Sequence, residues 1–272
     1  MSVLIFIIVL SALVIVHEAG HMFVAKFFGI RVDEFGLGYP PRMKKLFRWK
    51  GTDFTLNWLP FGGFVKIFGE NPEAEQSSLR GEPEEQKTLS DNFQNKNHGV
   101  QAGVLVAGVV ANILFAWFLL FIVLLIGIDG GDGLVVKYSF FGAVWHGLLS
   151  TLKISWLVLQ SLGIFIGGAI LGHANLADVV GPIGLVGFVG KAAKEGISVL
   201  LYFTALISIN LSIVNLFPVP ALDGGRLLFV AFESIWRKPI PPKVFNTMNT
   251  VGFAILVLLM LLVAFRDISH LV

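Results

Sequence analysis

The sequence HEAGH at positions 17–21 constrains this chain more than any other feature, because it places ionisable side chains inside an apolar run. The run covers residues 3–28, and a helix needs about 20 residues to cross a bilayer. On a helix, His17 and His21 lie on one face and can share a metal ion, with Glu18 close enough to act on a metal-bound water. Ionisable groups are costly in lipid, so this cluster predicts a functional site.

The composition is that of a membrane protein. Of the 272 residues, 55% are hydrophobic and 14% are charged. The net charge of +2 is too small to indicate a nucleic-acid partner. The chain has no cysteine, which excludes disulfides and thiolate metal sites, so any metal must be held by His, Asp or Glu.

We predict a mainly α membrane fold with four transmembrane helices. The expected spans are residues 3–28, 100–128, 199–217 and 251–265. The third span should stop near Phe217, because Pro218 and Pro220 follow it. A new helical stretch is expected to start within residues 221–226.

The segment after the first span is predicted to contain β-strands. Residues 30–69 are rich in Gly and Pro, and 54–58 and 64–67 read as strands, so a membrane-associated β region is predicted. One of its edges can receive an extended peptide. Residues 70–97 read as a polar, acidic loop, and the Asp-Gly-rich stretch 129–133 reads as a turn.

The distribution of Lys and Arg predicts the orientation. Residues 26–96 hold 11 of the 20 basic residues, and 226–243 hold four. The positive-inside rule therefore places loops 27–97 and 226–250 in the cytoplasm and both termini outside.

Two histidines do not complete a catalytic zinc site, which usually has three protein ligands and an open position. Asp223 is the preferred third ligand, because it follows the Pro-x-Pro break at the depth predicted for His21. The other candidates are worse placed: Asp129, Asp132, Asp178 and Glu195. Asp223 before two glycines is also an ordinary helix N-cap, and spacing alone leaves both readings open.

A shared ion would fix the topology. The first and third spans must then end at the same membrane face, with an odd number of crossings between them. Residues 140–171, which are apolar but too short for two crossings, should therefore lie on or dip into the outer leaflet. We accordingly divide the chain into residues 1–128, 129–180 and 181–272.

Asn215 lies near the end of the third span, where a buried amide needs partners. In one interpretation the Asn215 side chain caps the carbonyls at the end of its own helix. In the other, it binds the substrate backbone or a developing oxyanion. Both readings stay open.

Two motifs together resemble the site-2 protease family of intramembrane zinc proteases, in particular its bacterial regulator-of-sigma-E type. They are HEAGH and the stretch NLFPVPALDGG at 215–225. The stretches 35–38, 60–66 and 181–184 are also similar to that family.

The resemblance implies a zinc metalloendopeptidase that cuts within or near the transmembrane segment of single-pass proteins, such as anti-sigma factors or signal-peptide remnants, in the bacterial inner membrane. It implies that His17, His21 and Asp223 bind Zn²⁺ and that Glu18 is the general base. The implied substrate-binding residues are Asn215, Gly62, Gly63 and Phe64.

The sequence departs from that family in one respect. Relatives of this type carry one or two PDZ domains after the second span, whereas this chain passes from Ile128 through 129–133 into apolar sequence. A domain of about 90 residues does not fit there. Natural loss and engineered excision are both open, and cleavage should depend less on prior trimming of the substrate.

A zinc transporter or a zinc-stabilised scaffold is the alternative function. A transporter needs polar residues along a path through the spans, and the spans offer few outside the site. His98, His146, His173 and His270 fall at segment ends or in 140–171, where interfacial or structural roles are favoured.

Overall fold

The computed structural model describes residues 1–70, 91–129, 135–173, 180–238 and 240–269. Helices dominate this part of the chain. The elements in order are α1 (Ser2–Phe27), β1 (Val32–Trp49), β2 (Thr52–Ile67), α2 (His98–Ile126), β3 (Ile128–Asp129), β4 (Val135–Val136), α3 (Phe140–Ile170), α4 (Pro182–Glu195), α5 (Ile197–Asn215), α6 (Asp223–Trp236) and α7 (Pro242–Ser269). Most of the predicted acidic loop and of the predicted turn at 129–133, together with Asp178 and His270, lies outside the described residues.

The predicted helix ends follow local chemistry. The helix α5 ends at Asn215, three residues before Pro218, in accord with the expected stop. The expected helical stretch after this break is α6. The last helix begins at Pro242, earlier than the predicted residue 251, because proline fits the first turn of a helix and no later residue interrupts it.

Five helices, not four, are long and apolar enough to cross a membrane among the described residues. The four-span prediction is therefore not matched. The additional helix is α3, a continuous helix of 31 residues in the segment predicted not to span. Length and apolarity alone do not distinguish a crossing helix from one that lies along a bilayer. Our prediction relied instead on the odd number of crossings that a shared metal ion requires between the first and third predicted spans.

The β region lies within the predicted residues 30–69, but its strands are longer than the predicted strands at 54–58 and 64–67. The strands β1 and β2 are antiparallel, with several register shifts. The first half of β1 pairs on both sides: Phe35 is opposite Val65 and also opposite Phe54. The two halves of β2 thus lie on either side of the first half of β1. They correspond to the two separate strands expected at 54–58 and 64–67.

The chain forms two compact units. Unit A comprises residues 10–111 and 215–253, and unit B comprises residues 1–9, 112–214 and 254–272. The predicted division into three segments stays a prediction, because the units are discontinuous along the chain.

In unit A, α1 packs closely against α2. A Cβ atom on Gly20 would lie 2.5 Å from the Ala107 carbonyl oxygen and 2.8 Å from the Ala111 Cβ. A small residue at this position therefore lets the two backbones approach, as is common where membrane helices pack. The core beside this contact joins α1, the sheet, α2 and α6; its buried members include Met22, Phe35, Ile67, Val104 and Val230.

In unit B, the core lies between α2 and α5. Its buried members are Ala116, Leu119, Leu120, Ala205, Ile209 and Ile213, and α3 packs against it through Ile154, Val158 and Leu162. The Ser208 hydroxyl donates a hydrogen bond of 2.8 Å to the Asn112 carbonyl. Helix α4 is tied to the end of α7, because the Gly184 N–H donates a 3.0 Å hydrogen bond to the Asp267 carboxylate.

Candidate metal centre

His17, His21 and Asp223 come together in unit A as one potential metal-binding group. The His17 Nε2 atom lies 2.8 Å from Asp223 Oδ2 and 3.1 Å from His21 Nε2. The distance from His21 Nε2 to Asp223 Oδ2 is 3.3 Å. Both histidines are buried, at 5% and 6% exposure. Three potential ligand atoms thus form a nearly equilateral triangle, although His17 and Asp223 are 206 positions apart in the chain.

The orientation of His21 is set by a backbone group. Its Nδ1–H donates a hydrogen bond of 2.7 Å to the Val104 carbonyl on α2. With the proton held at Nδ1, Nε2 keeps its lone pair for a metal, an arrangement common among metal-binding histidines. The His17 Nδ1 atom is buried and has no partner among the described residues.

Asp223 is not a helix cap. It is the first residue of α6, the N-cap position is Leu222, and no side chain caps this helix. The carboxylate points to the histidines instead. Burial raises the pKa of Asp223, but its close contacts with the His17 and His21 imidazoles outweigh this effect and hold the pKa well below its usual value. The group is therefore an anion, which is the form in which a carboxylate binds a metal.

The donor set fits zinc. Two imidazole nitrogens and one carboxylate oxygen are a usual ligand set for catalytic zinc, and bonds of about 2.0–2.1 Å in a tetrahedron separate the ligand atoms by about 3.3 Å. The observed separations of 2.8, 3.1 and 3.3 Å are close to this value.

Gly108 on α2 provides the space that the imidazoles occupy. A Cβ atom at this position would lie 2.5 Å from His21 Nε2 and 2.7 Å from His17 Cε1. Real Cβ atoms do not approach other atoms so closely, so any larger residue would displace the rings.

We therefore expect Gly108→Ala to reduce zinc binding strongly. The measurement is the zinc content of purified protein at equal free zinc, and the expected loss is at least about tenfold in affinity, as for other disturbances of metal-site geometry. Gly103→Ala on the same helix is the matched control, because nothing lies within 4 Å of its Cβ position. Equal zinc content in the two variants would contradict this account.

Glu18 lies beside the metal-binding group and is held by the sheet. Its Oε2 atom accepts a hydrogen bond of 3.0 Å from the Val65 N–H on β2. One carboxylate oxygen is thereby fixed. Glu18 belongs to the same helix as both histidines, so the sheet and α1 together orient it.

The predicted substrate-binding residues divide into two groups. The Asn215 Nδ2 atom lies 3.4 Å from His17 Nε2, so its amide is part of the centre. Gly62, Gly63 and Phe64 lie in β2 just before Val65 instead. The Gly62 N–H donates a 3.2 Å hydrogen bond to the Ser11 hydroxyl on α1, so this part of β2 runs beside α1 near Glu18.

Sequence analysis did not identify several groups that support the centre. The Val65 N–H and the Val104 carbonyl are backbone groups, which leave no signal in residue type. Asn249 supports Asp223 indirectly, because its Oδ1 accepts a 3.2 Å hydrogen bond from the Ala221 N–H in the preceding turn. Gly108 had only a weak signal, since small residues mark close packing of membrane helices but α2 also contains Gly103, which has nothing within 4 Å of its Cβ position.

The fold and the centre together define a multi-pass membrane protein with a His-His-Asp group suited to zinc. The sequence model of peptidase family M50 matches residues 5–259. The chain belongs to this family, the site-2 proteases, and is accordingly a zinc metalloprotease.

Curated relatives agree with this membership. A Clostridium perfringens protein described as a candidate zinc metalloprotease is 32% identical, with 98% of each chain covered. The zinc metalloprotease RasP of Geobacillus kaustophilus is 26% identical, again with 98% of each chain covered. The two alignments extend over 337 and 416 positions, whereas this chain has 272 residues, so both relatives contain additional segments.

Proposed function

We propose that this protein hydrolyses a peptide bond within or near the transmembrane segment of membrane-protein substrates. The observation that carries the proposal is the position of the centre. Glu18 is about 24 Å along α1 from its first residue, at 1.5 Å per residue, in a helix of 26 residues that is apolar enough to span. A peptide bond cut there lies at membrane depth.

In this proposal His17, His21 and Asp223 hold zinc, and Glu18 is the general base. Bound zinc supplies a Lewis acid that polarises the peptide carbonyl and lowers the pKa of water towards neutrality. Glu18 takes the proton from the attacking water and returns it to the leaving amine. The hydrogen bond from Val65 keeps one Glu18 oxygen in place while the other carries the proton.

Asn215 is placed to act on the substrate. Its amide is 3.4 Å from His17 Nε2, so an Nδ2–H can donate to an oxygen of the scissile group held at the centre. A donor fixed in advance stabilises charge that develops during the reaction. Among the described residues, the Asn215 side chain contacts His17 and not the carbonyls of α5, which favours this role over a helix cap.

The register of the sheet indicates which edge receives the substrate. The first half of β2 is paired on both of its edges. Phe54, for example, is opposite Phe35 in the first half of β1 and opposite Phe47 in its second half. The second half, residues 63–67, pairs with β1 on one side only. A helical substrate must unwind to expose its carbonyls, and we propose that Gly63 and its neighbours hold the unwound strand by strand addition.

The orientation follows from the charge distribution and the assembled centre. His17 in the second half of α1 and Asn215 at the end of α5 meet at the centre, so both helices approach one membrane face, which the positive-inside rule assigns to the cytoplasm. In this arrangement α3 lies along the outer leaflet and does not cross, so both termini lie outside, and we place the protein in the bacterial inner membrane. Proposed substrates are single-pass proteins, including anti-sigma factors and signal-peptide remnants.

The test is cleavage of a transmembrane peptide by purified zinc-loaded protein in detergent or liposomes. The expected product results from one cut inside or next to the apolar segment, mapped by mass spectrometry. The same sequence with its apolar segment replaced by a soluble linker is the matched control and should be cut far more slowly. Transport of zinc across the liposomes without cleavage would instead support the transporter alternative.

The cleavage rate should depend little on prior trimming of the substrate, because the described residues between α2 and α5 form no PDZ domain. In the described part of this interval, the structure has α3, α4 and the short pair β3–β4. We expect a substrate with a bulky outer domain to be cut within a fewfold of the rate of its trimmed form. A much slower rate for the untrimmed substrate, in a time course with both forms at equal concentration, would contradict this.

A further inference from the structure

A basic cavity lies at the C-terminal end of α1, away from the metal centre. It is open, has a volume of about 880 Å³ and is lined by the end of α1, the start of β1 and the β1–β2 turn. Four basic side chains line it, together with one carboxylate, that of Asp91; the basic residues are Lys26, Arg31, Arg48 and Lys50.

The positive charge of this cavity is only partly neutralised. Arg31 pairs with Asp33 at 2.6 Å. Arg48 approaches Asp53 at 3.4 Å, but that carboxylate also pairs with Lys45.

The two lysines lack such partners. The Lys26 and Lys50 ammonium groups lie 5.3 and 4.9 Å from the centre of the Trp49 ring. Neither forms an ion pair with a carboxylate in the part of the chain that the structure describes. Two like charges beside one ring repel each other, and an anion between them would remove this repulsion.

The cavity also has an apolar, aromatic side. Phe23, Phe27 and Trp49 line it and are 56%, 83% and 40% exposed. Lys26 is in the last turn of α1, where an apolar spanning helix reaches the bilayer surface. Aromatic rings together with Lys or Arg are typical of that level of the membrane.

We propose that this cavity binds the headgroup of an anionic phospholipid. The phosphate lies between Lys26 and Lys50, and the first part of an acyl chain packs on Phe23 and Phe27. The charge selects an anionic lipid over a zwitterionic one, and the adjoining aromatic surface selects a lipid over free phosphate. Basic pockets beside membrane helices recognise anionic headgroups by this combination.

Occupancy would join two parts of unit A. Lys26 is on α1, which carries His17, Glu18 and His21, whereas Lys50 is in the turn between β1 and β2. The Lys26 ammonium already donates a 2.9 Å hydrogen bond to the Lys50 carbonyl, and a headgroup held by both lysines would add a second link between the turn and the helix. Anionic lipid should therefore raise the thermal stability of the protein, because it binds the folded state and not the unfolded one.

The experiment measures the melting temperature of the full zinc-loaded chain in neutral detergent. The additives are a short-chain phosphatidylglycerol, the matching phosphatidylcholine, and inorganic phosphate at equal concentration. The proteins are wild type, K26Q/K50Q, the charge-conserving K26R/K50R and the control K44Q/K66Q. Lys44 and Lys66 are exposed residues of the same sheet that do not line the cavity. Zinc content verifies that each variant is folded.

Phosphatidylglycerol should raise the melting temperature of wild type, K26R/K50R and K44Q/K66Q, and its affinity for K26Q/K50Q should fall by at least about tenfold. Three results would overturn the proposal. They are no shift in wild type, an equal shift in K26Q/K50Q, and an equal shift with phosphatidylcholine or inorganic phosphate.

Discussion

The variant Glu18→Gln should bind zinc normally and lose cleavage. The substitution keeps the shape of the side chain, and its amide oxygen can still accept the hydrogen bond from the Val65 N–H. It removes the group that takes and returns the proton. General acid–base catalysis contributes about 10²–10⁴ in rate, so we expect a loss of at least about 100-fold. Cleavage of a transmembrane peptide and zinc content are measured on the same preparation.

Glu195→Gln is the control for this variant. Glu195 is the exposed last residue of α4 in unit B, and its substitution removes the same charge without touching the centre. It should cut at the wild-type rate. Normal cleavage by Glu18→Gln would remove Glu18 from the mechanism and leave the metal-binding proposal intact.

The variant Asp223→Asn should lose zinc as well as cleavage. The carboxylate is 2.8 Å from His17 Nε2 and 3.3 Å from His21 Nε2, and it is the anionic member of the set. A neutral amide binds zinc far more weakly, and two imidazoles alone do not form a stable catalytic site. We expect zinc to fall from about one ion per chain to a small fraction at micromolar free zinc, with cleavage lost in parallel.

Asp53→Asn provides the comparison for the loss of a carboxylate. Asp53 lies in β2 and pairs with Lys45 at 2.5 Å. Its substitution should leave the zinc content unchanged. Retention of one zinc by Asp223→Asn would show that the third ligand is another residue.

The spanning helices were largely predictable because their signal is local. The helix α1 was expected at 3–28 and is Ser2–Phe27, and α2 was expected at 100–128 and is His98–Ile126. Helix α4 was not expected, since its sequence 182–195 is short and only moderately apolar. The role of α3 depends on how the whole chain is arranged in a bilayer, and no local pattern records that.

The side chains of the centre could be predicted, but their support could not. His17 and His21 are read from their spacing, and Asp223 from its place after a helix break. The alternative of a cap at Asp223 was decided by geometry, because the N-cap residue is Leu222. The supports at Val65 and Val104 are peptide groups brought in by β2 and α2, and only the tertiary fold determines which peptide groups these are.

The strands of the β region were only partly predictable from local sequence. Its strands were placed at 54–58 and 64–67, but β1 was not identified, since Gly36, Gly38, Pro40 and Pro41 indicate turns. The pairing of β1 with both halves of β2 overrides these local preferences.

The X-ray absorption spectrum of zinc in the purified, active protein tests the central proposal most directly. This account predicts one zinc per chain with two imidazole nitrogens and one or more oxygen ligands at about 2.0–2.1 Å, and loss of most of this zinc signal after His21→Gln, which leaves only two of the three protein ligands. A shell with three or more imidazoles, or a spectrum unchanged by His21→Gln, would contradict a centre built from His17, His21 and Asp223.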